Sequence, residues 1–258
     1  MENIYIGDVH GRKTWKDVLD KNPEADNYVF IGDYLDSYYI QPLEQLENLI
    51  EIVEFKKNPL VYLVGKRKKT TVPKVHLLIG NHDIHYWSGI LLRGETSGYQ
   101  TKMFPVYNQI FEEDKKEFQI SCTIGDKLCS HAGISPEFLE LNSYDYKEDV
   151  SDFLNELFYH KPNNFEFANQ NTPVGSYLNP YGDDTFQSPV WIRPKSLQRS
   201  NKKNKFIKEK YTQIVGHTTQ DYLNLSGKTT GGKYIYIDTL GVGEYLIEED
   251  GVLKVGKL

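Results

Sequence analysis

Asp8 and His10 stand two residues apart in Gly7-Asp8-Val9-His10-Gly11, directly after the apolar run Ile4-Tyr5-Ile6. On extended backbone, side chains at i and i+2 lie on one side, so this carboxylate and this imidazole can converge. The construction returns as Gly32-Asp33-Tyr34-Leu35-Asp36 after Tyr28–Ile31, and as Gly80-Asn81-His82-Asp83 after Val75–Ile79. Two later blocks, Ser130-His131-Ala132-Gly133 and Val215-Gly216-His217-Thr218, each set a histidine beside small residues after a β-prone stretch. Carboxylate, amide and imidazole together, without thiolate, suit hard or borderline divalent metals. Two such metals a few Å apart can share a bridging hydroxide that attacks phosphorus in line. A lone Gly-Asp or Gly-His pair is an ordinary turn, but five ordered strand-end blocks describe a bimetal hydrolytic centre.

These loops need strands to end on and helices to lead back. Thr14–Asp20 reads as a short helix burying Trp15, Val18 and Leu19. Pro42, Leu43, Leu46, Leu49, Ile50 and Val53 are spaced for an amphipathic helix that starts at proline. Strand, loop, helix and next strand make an α/β pattern with the site at the carboxyl ends of the strands. Met103–Phe118 reads as a helix, Ser121–Ser130 as a hairpin turning at Gly125-Asp126, and Val150 to Phe158 as another helix. The Lys66–Lys69 run (KRKK) is expected to be a solvated loop, with a docking patch as the less favoured reading. Residues 161–205 show no period and are rich in Asn, Pro, Gly and Ser; the aromatics among them favour a functional loop. Tyr234–Ile237, Glu244–Ile247 and Val252–Val255 alternate like a β meander, with Asp250-Gly251 as a hairpin turn.

Composition narrows the field. The 258 residues suit one large α/β domain spanning 1–258. A net charge of -6 argues against a surface built to neutralise phosphate backbones, so nucleic acid is not the expected partner. Cys122 and Cys129 fall in the expected hairpin and read as reduced. No run approaches the ~20 apolar residues of a membrane span, and no signal-like segment opens the chain. A soluble, cytoplasmic protein with no membrane partner is the expectation.

The ordered series GDVHG, GDYLD, GNHD, SHAG and VGHT resembles the calcineurin-like metallophosphoesterase superfamily, in particular its branch of phosphoprotein phosphatases and diadenosine tetraphosphate hydrolases. The resemblance spans Gly7 to His217. It implies two mixed β-sheets packed as a sandwich flanked by helices. It also implies two divalent ions, Mn²⁺ first with Fe, Zn or Ni as alternatives. By resemblance, Asp8 and His10 bind the first metal, Asp33 bridges both, and Asn81, His131 and His217 complete the second. His82 matches the histidine facing the leaving group and Asp36 the carboxylate that orients it. Asp83 stands where many relatives carry Glu and reads first as a helix cap or structural partner.

Two departures matter. The superfamily's usual Gly-His-x-His block is here Gly216-His217-Thr218-Thr219, an omission shared with the same branch that leaves the first metal more open. Phosphoprotein phosphatases continue GDxxD with Arg-Gly, and that arginine binds substrate phosphate, whereas here Ser37-Tyr38-Tyr39 follow. Arg193, Arg12 and Arg93 are the candidate replacements, because a guanidinium fork matches phosphate oxygens. Arg193, inside the long loop, is the first choice; for Arg12 and Arg93 surface salt bridging is the simpler reading.

Of the other histidines, His76 and His160 read as packing or capping residues, while His85, one turn past His82, could reach the pocket rim. Asp221 and Asp238 read as turn or hydrogen-bonding residues. The expected activity is metal-dependent hydrolysis of a phosphomonoester on a phosphorylated protein, nucleotide or small molecule, closest to a serine/threonine phosphoprotein phosphatase. The alternative is a dinucleoside polyphosphate hydrolase, for which Trp191 or Tyr181 would stack on a base. A nuclease or a catalytically silent binding scaffold is less favoured.

Overall fold

The computed structural model describes residues 1–90, 98–167, 184–200, 206–226, 228–229 and 232–258. Its centre is two mixed sheets lying face to face. In the first, β1 (Glu2–Ile6), β2 (Asn27–Phe30), β3 (Lys74–Leu78) and β4 (Phe118–Gln119) run parallel. The antiparallel β10 (Glu244–Glu249) and β11 (Val252–Lys257) extend it to the order β11-β10-β1-β2-β3-β4. In the second, the order is β5-β6-β7-β9-β8, from β5 (Ser121–Ile124), β6 (Lys127–Ser130), β7 (Thr212–Val215), β8 (Lys228–Thr229) and β9 (Gly232–Tyr236).

The alternation of strand side chains divides the core. Ile4 and Ile6 of β1 and Tyr28 and Phe30 of β2 face outward, onto α1 (Trp15–Lys21) and α2 (Pro42–Lys57). Tyr5, Val29 and Ile31 face the other way and meet Cys129, Ile214, Ile235 and Ile237 of the second sheet. Burying each large side chain contributes roughly 1.5–3 kcal/mol, so a one-residue slip in β1 or β2 would sacrifice both cores. Trp15 pins α1 to α2 by donating Nε1–H to Asn48 Oδ1 at 2.8 Å. Between the sheets, buried Glu248 accepts from Tyr5 Oη (2.7 Å) and Asn3 Nδ2 (2.8 Å) and pairs with Lys127 Nζ at 3.1 Å.

The α/β order of strand, loop and helix expected for the first three blocks is present. Other elements differ from expectation for physical reasons. The Met103–Phe118 helix is α3 (Phe104–Glu113), flanked by 3-10 turns at Thr101–Met103 and Lys115–Glu117, because Phe118 leaves to pair with Leu77. The C-terminal strands do not form one meander: β9 belongs to the second sheet, and the chain crosses the sandwich through Asp238 and a 3-10 turn at Leu240–Val242 before the β10–β11 hairpin. The 161–205 stretch contains a 3-10 turn at Pro162–Phe165 and the helix α4 (Pro194–Ser200), whose Leu197 packs on Ala132, Ile192 and Tyr234. The KRKK loop is stitched to the α1–β2 connection: Arg67 donates to the carbonyls of Pro23 and Ala25, both at 2.8 Å, and Lys69 pairs with Asp26. Cys122 and Cys129 face each other in the β5–β6 register as buried free thiols. No helix among the described residues is long and apolar enough to cross a membrane.

Candidate metal centre

Every block that ends an apolar strand delivers its polar residues to one end of the sandwich. The delivery requires backbone that ordinary residues avoid: His10, Asp33, Asp36 and His217 all have positive φ, between 44° and 64°. Left-handed backbone costs a non-glycine residue about 1–3 kcal/mol, and such positions concentrate where surrounding structure overdetermines them. Gly80 and Gly216 are needed for contact. A Cβ on Gly80 would lie 2.1 Å from Asp33 Oδ1, and one on Gly216 would lie 2.1 Å from Asp8 Oδ1.

Asp33 is the hub and is buried. Its Oδ2 lies 3.3 Å from His131 Nε2 and 3.8 Å from His10 Nε2, while its Oδ1 accepts the backbone N–H of His82 at 2.9 Å. Asn81 Oδ1 is approached by His131 Nε2 (2.8 Å) and His217 Nδ1 (2.7 Å). Two donor clusters result, both able to hold a metal ion and sharing Asp33: His10, Asp33 and His82, and Asp33, His131 and His217. Asp8 falls in neither cluster in this arrangement; its carboxylate accepts the His217 backbone N–H at 3.1–3.2 Å.

The electrostatics match a cation-binding cavity. Burial penalises the Asp33 charge, but the imidazoles of His131, His82 and His10 outweigh it and hold its carboxyl well below the usual range. Burial and the nearby Asp238 push Asp8 well above its usual value. Burial also opposes a charge on His131, yet Asp33 and Asp8 raise it to about 9. His217 is driven well below the ordinary histidine value by burial, then by His131 and Arg193.

The family model for calcineurin-like phosphoesterase matches residues 4–227. The chain belongs to the calcineurin-like phosphoesterases. It is therefore a metal-dependent phosphoric ester hydrolase, and the family implies a dinuclear divalent centre. Solved structures similar to this phosphoesterase include the cold-active protein-tyrosine phosphatase of a psychrophilic Shewanella species. That match has a TM-score of 0.61 and 19% identity, covering 99% of this chain and 77% of the other. A mutant of a cold-active protein tyrosine phosphatase matches with TM-score 0.63 and 19% identity over the same shares. These likenesses bear on the fold. No curated protein sequence matches the chain.

The residues of this phosphoesterase fit a dinuclear centre, and the test is where their imidazole nitrogens point. Nδ1 of His10 faces Leu35 O (2.8 Å), Nδ1 of His131 faces Ile31 O (2.9 Å), and Nε2 of His217 faces Trp191 O (3.2 Å). Each ring thus donates one N–H to a backbone carbonyl and turns its other nitrogen to the cavity, the usual arrangement behind metal-binding imidazoles. A neutral His217 has one N–H for two facing oxygens, Trp191 O and Asn81 Oδ1. A cation held by His217 Nδ1 and Asn81 Oδ1 would resolve that conflict. His82 is built differently: its Nδ1 faces a carboxylate, Asp36 Oδ2, at 3.2 Å.

The remaining candidates fall in distinct places. Asp83 is structural, accepting from the backbone N–H of Asp33 (2.7 Å), Tyr34 (2.8 Å) and Gly80 (2.9 Å). Arg193 lies at the centre, with Nη1 donating to His217 O at 3.3 Å, and Asp33 and Asp8 act on its charge. Arg12 donates to Val9 O at 3.3 Å and, among the described residues, makes no salt bridge, contrary to the simpler reading. Arg93 and Tyr181 lie outside the described residues. Trp191 is 7% exposed and packed edge-on against His85 and His217, so its ring supports the site and is not presented to a nucleobase. His85 is buried between Trp191 and Tyr99. His160 is exposed and pairs with Glu156, and Asp221 is exposed. Asp238 is a hydrogen-bonding residue, as expected, accepting from Thr219 Oγ1 at 2.7 Å; it is also buried and acts on the charge of Asp8, for which the sequence carries no signal.

Proposed function

We propose that this phosphoesterase hydrolyses phosphomonoesters in the manner of a serine/threonine phosphoprotein phosphatase, with Mn²⁺ as the preferred metal. The observation that carries the reading is the division among the histidines. His10, His131 and His217 are backed by backbone carbonyls, whereas His82 is backed by Asp36. Asp8, His10, Asp33, Asn81, His131 and His217 would hold two divalent ions, which when bound would supply Lewis-acid stabilisation of the phosphoryl oxygens and a water acidified for in-line attack.

The chain's own residues do the rest. Arg193 holds outer phosphoryl oxygens through its fork. His82 gives a proton to the departing oxygen: burial opposes its charge, but Asp33 and Asp36 outweigh burial and raise its pKa, so the imidazolium is available. Asp36 fixes the ring. The side chains of His10 and His82 are 23% and 15% exposed, against 3% or less for Asp33 and His131, which favours approach of a substrate from the His10–His82 side. The spent position of Trp191 leaves the dinucleoside reading without its stacking group there.

The deciding experiment is His82→Asn, assayed with and without Mn²⁺ on an alkyl phosphomonoester and on p-nitrophenyl phosphate. The loss on the alkyl substrate should be about 10²- to 10⁴-fold and smaller on the aryl one, with metal content unchanged. Loss of metal would make His82 a ligand, and a loss that ignores the leaving group would give it another role; either outcome ends the acid reading.

A further inference from the structure

We propose that Tyr86 is a positioning residue for the acid step, its hydroxyl fixing the Asp36 carboxylate so that Asp36 can aim His82. This rests on the reading of His82 as the acid. Asp36 is 1% exposed and its two oxygens are divided: Oδ1 accepts from Tyr86 Oη at 2.5 Å and Oδ2 faces His82 Nδ1 at 3.2 Å.

The direction of the Tyr86 bond follows from its other partner. The backbone N–H of Gln100 donates to Tyr86 Oη at 2.8 Å, filling an acceptor position, so the single hydroxyl hydrogen goes to Asp36. The ring cannot swing away, because it is fully buried, stacked on Tyr99 (centroids 5.2 Å) and edge-on to Tyr107 (4.9 Å). The result is a directional chain, Gln100 N–H to Tyr86 O–H to Asp36 to His82. A carboxylate tethered at one oxygen cannot rotate, which leaves the other oxygen in one place. Gly98 permits the closure: its φ is +86°, and a Cβ there would lie 2.8 Å from Asp36 O.

Without the hydroxyl, Asp36 Oδ1 would be buried with no donor among the described residues, and the carboxylate would turn to share its oxygens with His82. Catalysis would then suffer where a proton must be delivered, and not where the leaving group departs unaided.

The test uses Tyr86→Phe, which keeps the ring, beside Tyr107→Phe, which removes a neighbouring buried hydroxyl that lies 2.9 Å from Pro42 O and 3.2 Å from the Gln100 side-chain Oε1 and is not bonded to Asp36. On an alkyl phosphomonoester, kcat of Tyr86→Phe should fall about tenfold or more, with KM, metal content and the rate on p-nitrophenyl phosphate close to wild type. Tyr107→Phe should spare both substrates, and Tyr86→Phe should add nothing in an Asp36→Asn background. Equal loss on both substrates, loss of metal, or full additivity with Asp36→Asn overturns the assignment. If His82→Asn is leaving-group dependent and Tyr86→Phe is not, Tyr86 alone is wrong; if neither is, the acid reading and this one fall together.

Discussion

Thr219 Oγ1 donates to Asp238 Oδ2 at 2.7 Å, so the residue at the place of the family's second Gly-His-x-His histidine is bonded to a buried carboxylate. After burial, Asp238 is the strongest influence on Asp8, and it also acts on His10. Asp8, Asp33 and Asp238 are all buried and each disfavours the others' charge, a repulsion that bound cations would offset.

Asp238→Asn should therefore loosen the first cation selectively. Supporting groups behind a metal typically change its affinity roughly 10- to 100-fold when removed. Graded chelation followed by metal analysis should show one of two ions leaving earlier than in wild type, and Thr219→Val should show a milder version. A chelation profile identical to wild type would put Asp238 outside the metal centre.

Asp33 is predicted to matter to both ions, since it is common to the two donor clusters. A ligand that binds only the folded state raises stability by about 2.7 kcal/mol at a hundredfold excess over its Kd. Mn²⁺ should accordingly raise the wild-type Tm, and Asp33→Ala should lose that rise together with all activity. A metal-induced Tm shift of wild-type size in Asp33→Ala would contradict the shared role.

How much of this was legible in the chain depended on locality. Asp8, His10, Asp33, Asn81, His131 and His217 could be picked out because each follows an apolar run and adjoins a small or glycine residue, and those neighbours are what let Asp33 and Asp8 lie against backbone. The sandwich was legible for a weaker reason, the resemblance, because alternation alone cannot say which sheet a strand joins; β9 reads like a partner of β10 yet pairs with β7. Asp238 and Tyr86 were not legible. Asp238 meets Asp8 across most of the chain, and Tyr86 meets Asp36 from 50 residues away, with no period or motif to announce either. The left-handed φ of His10, Asp33, Asp36 and His217 was hidden too, since it is imposed by tertiary contacts on residues that would not choose it.

Arg193 is predicted to be the phosphate clamp that Ser37 does not supply. Its guanidinium is partly buried, bonded to His217 O, and close enough to Asp33 and Asp8 to feel both. Arg193→Ala should lower kcat/KM by about one to three decades, since a charge-assisted contact is worth ~1.5–3 kcal/mol or somewhat more in the transition state. Inhibition by inorganic phosphate should weaken in parallel. Arg12→Ala is the informative comparison because Arg12 makes no salt bridge among the described residues: if its kinetics collapse with metal retained while Arg193→Ala stays intact, the clamp is Arg12.

The last prediction concerns stability and lies away from the metal centre. His76 in β3 is partly buried, and burial, reinforced by Lys56 and Lys74, lowers its pKa to about 4, while Gln119 Nε2 lies 3.2 Å from its Nδ1. The folded protein thus holds His76 neutral over a range where the unfolded chain, with an ordinary histidine pKa of about 6.5, takes up a proton. The unfolded state binds more protons in that window, so stability rises with pH there. The contribution is complete above about pH 6.5 and declines as pH falls toward 4, at a limiting slope of about 1.4 kcal/mol per pH unit. His76→Gln cannot titrate and can still accept from Gln119 through its amide oxygen. Its Tm should fall less than that of wild type between pH 7 and pH 4.5, with both proteins measured under the same metal conditions. Parallel Tm curves for the two proteins across that window would show that His76 is protonated equally in the folded and unfolded states.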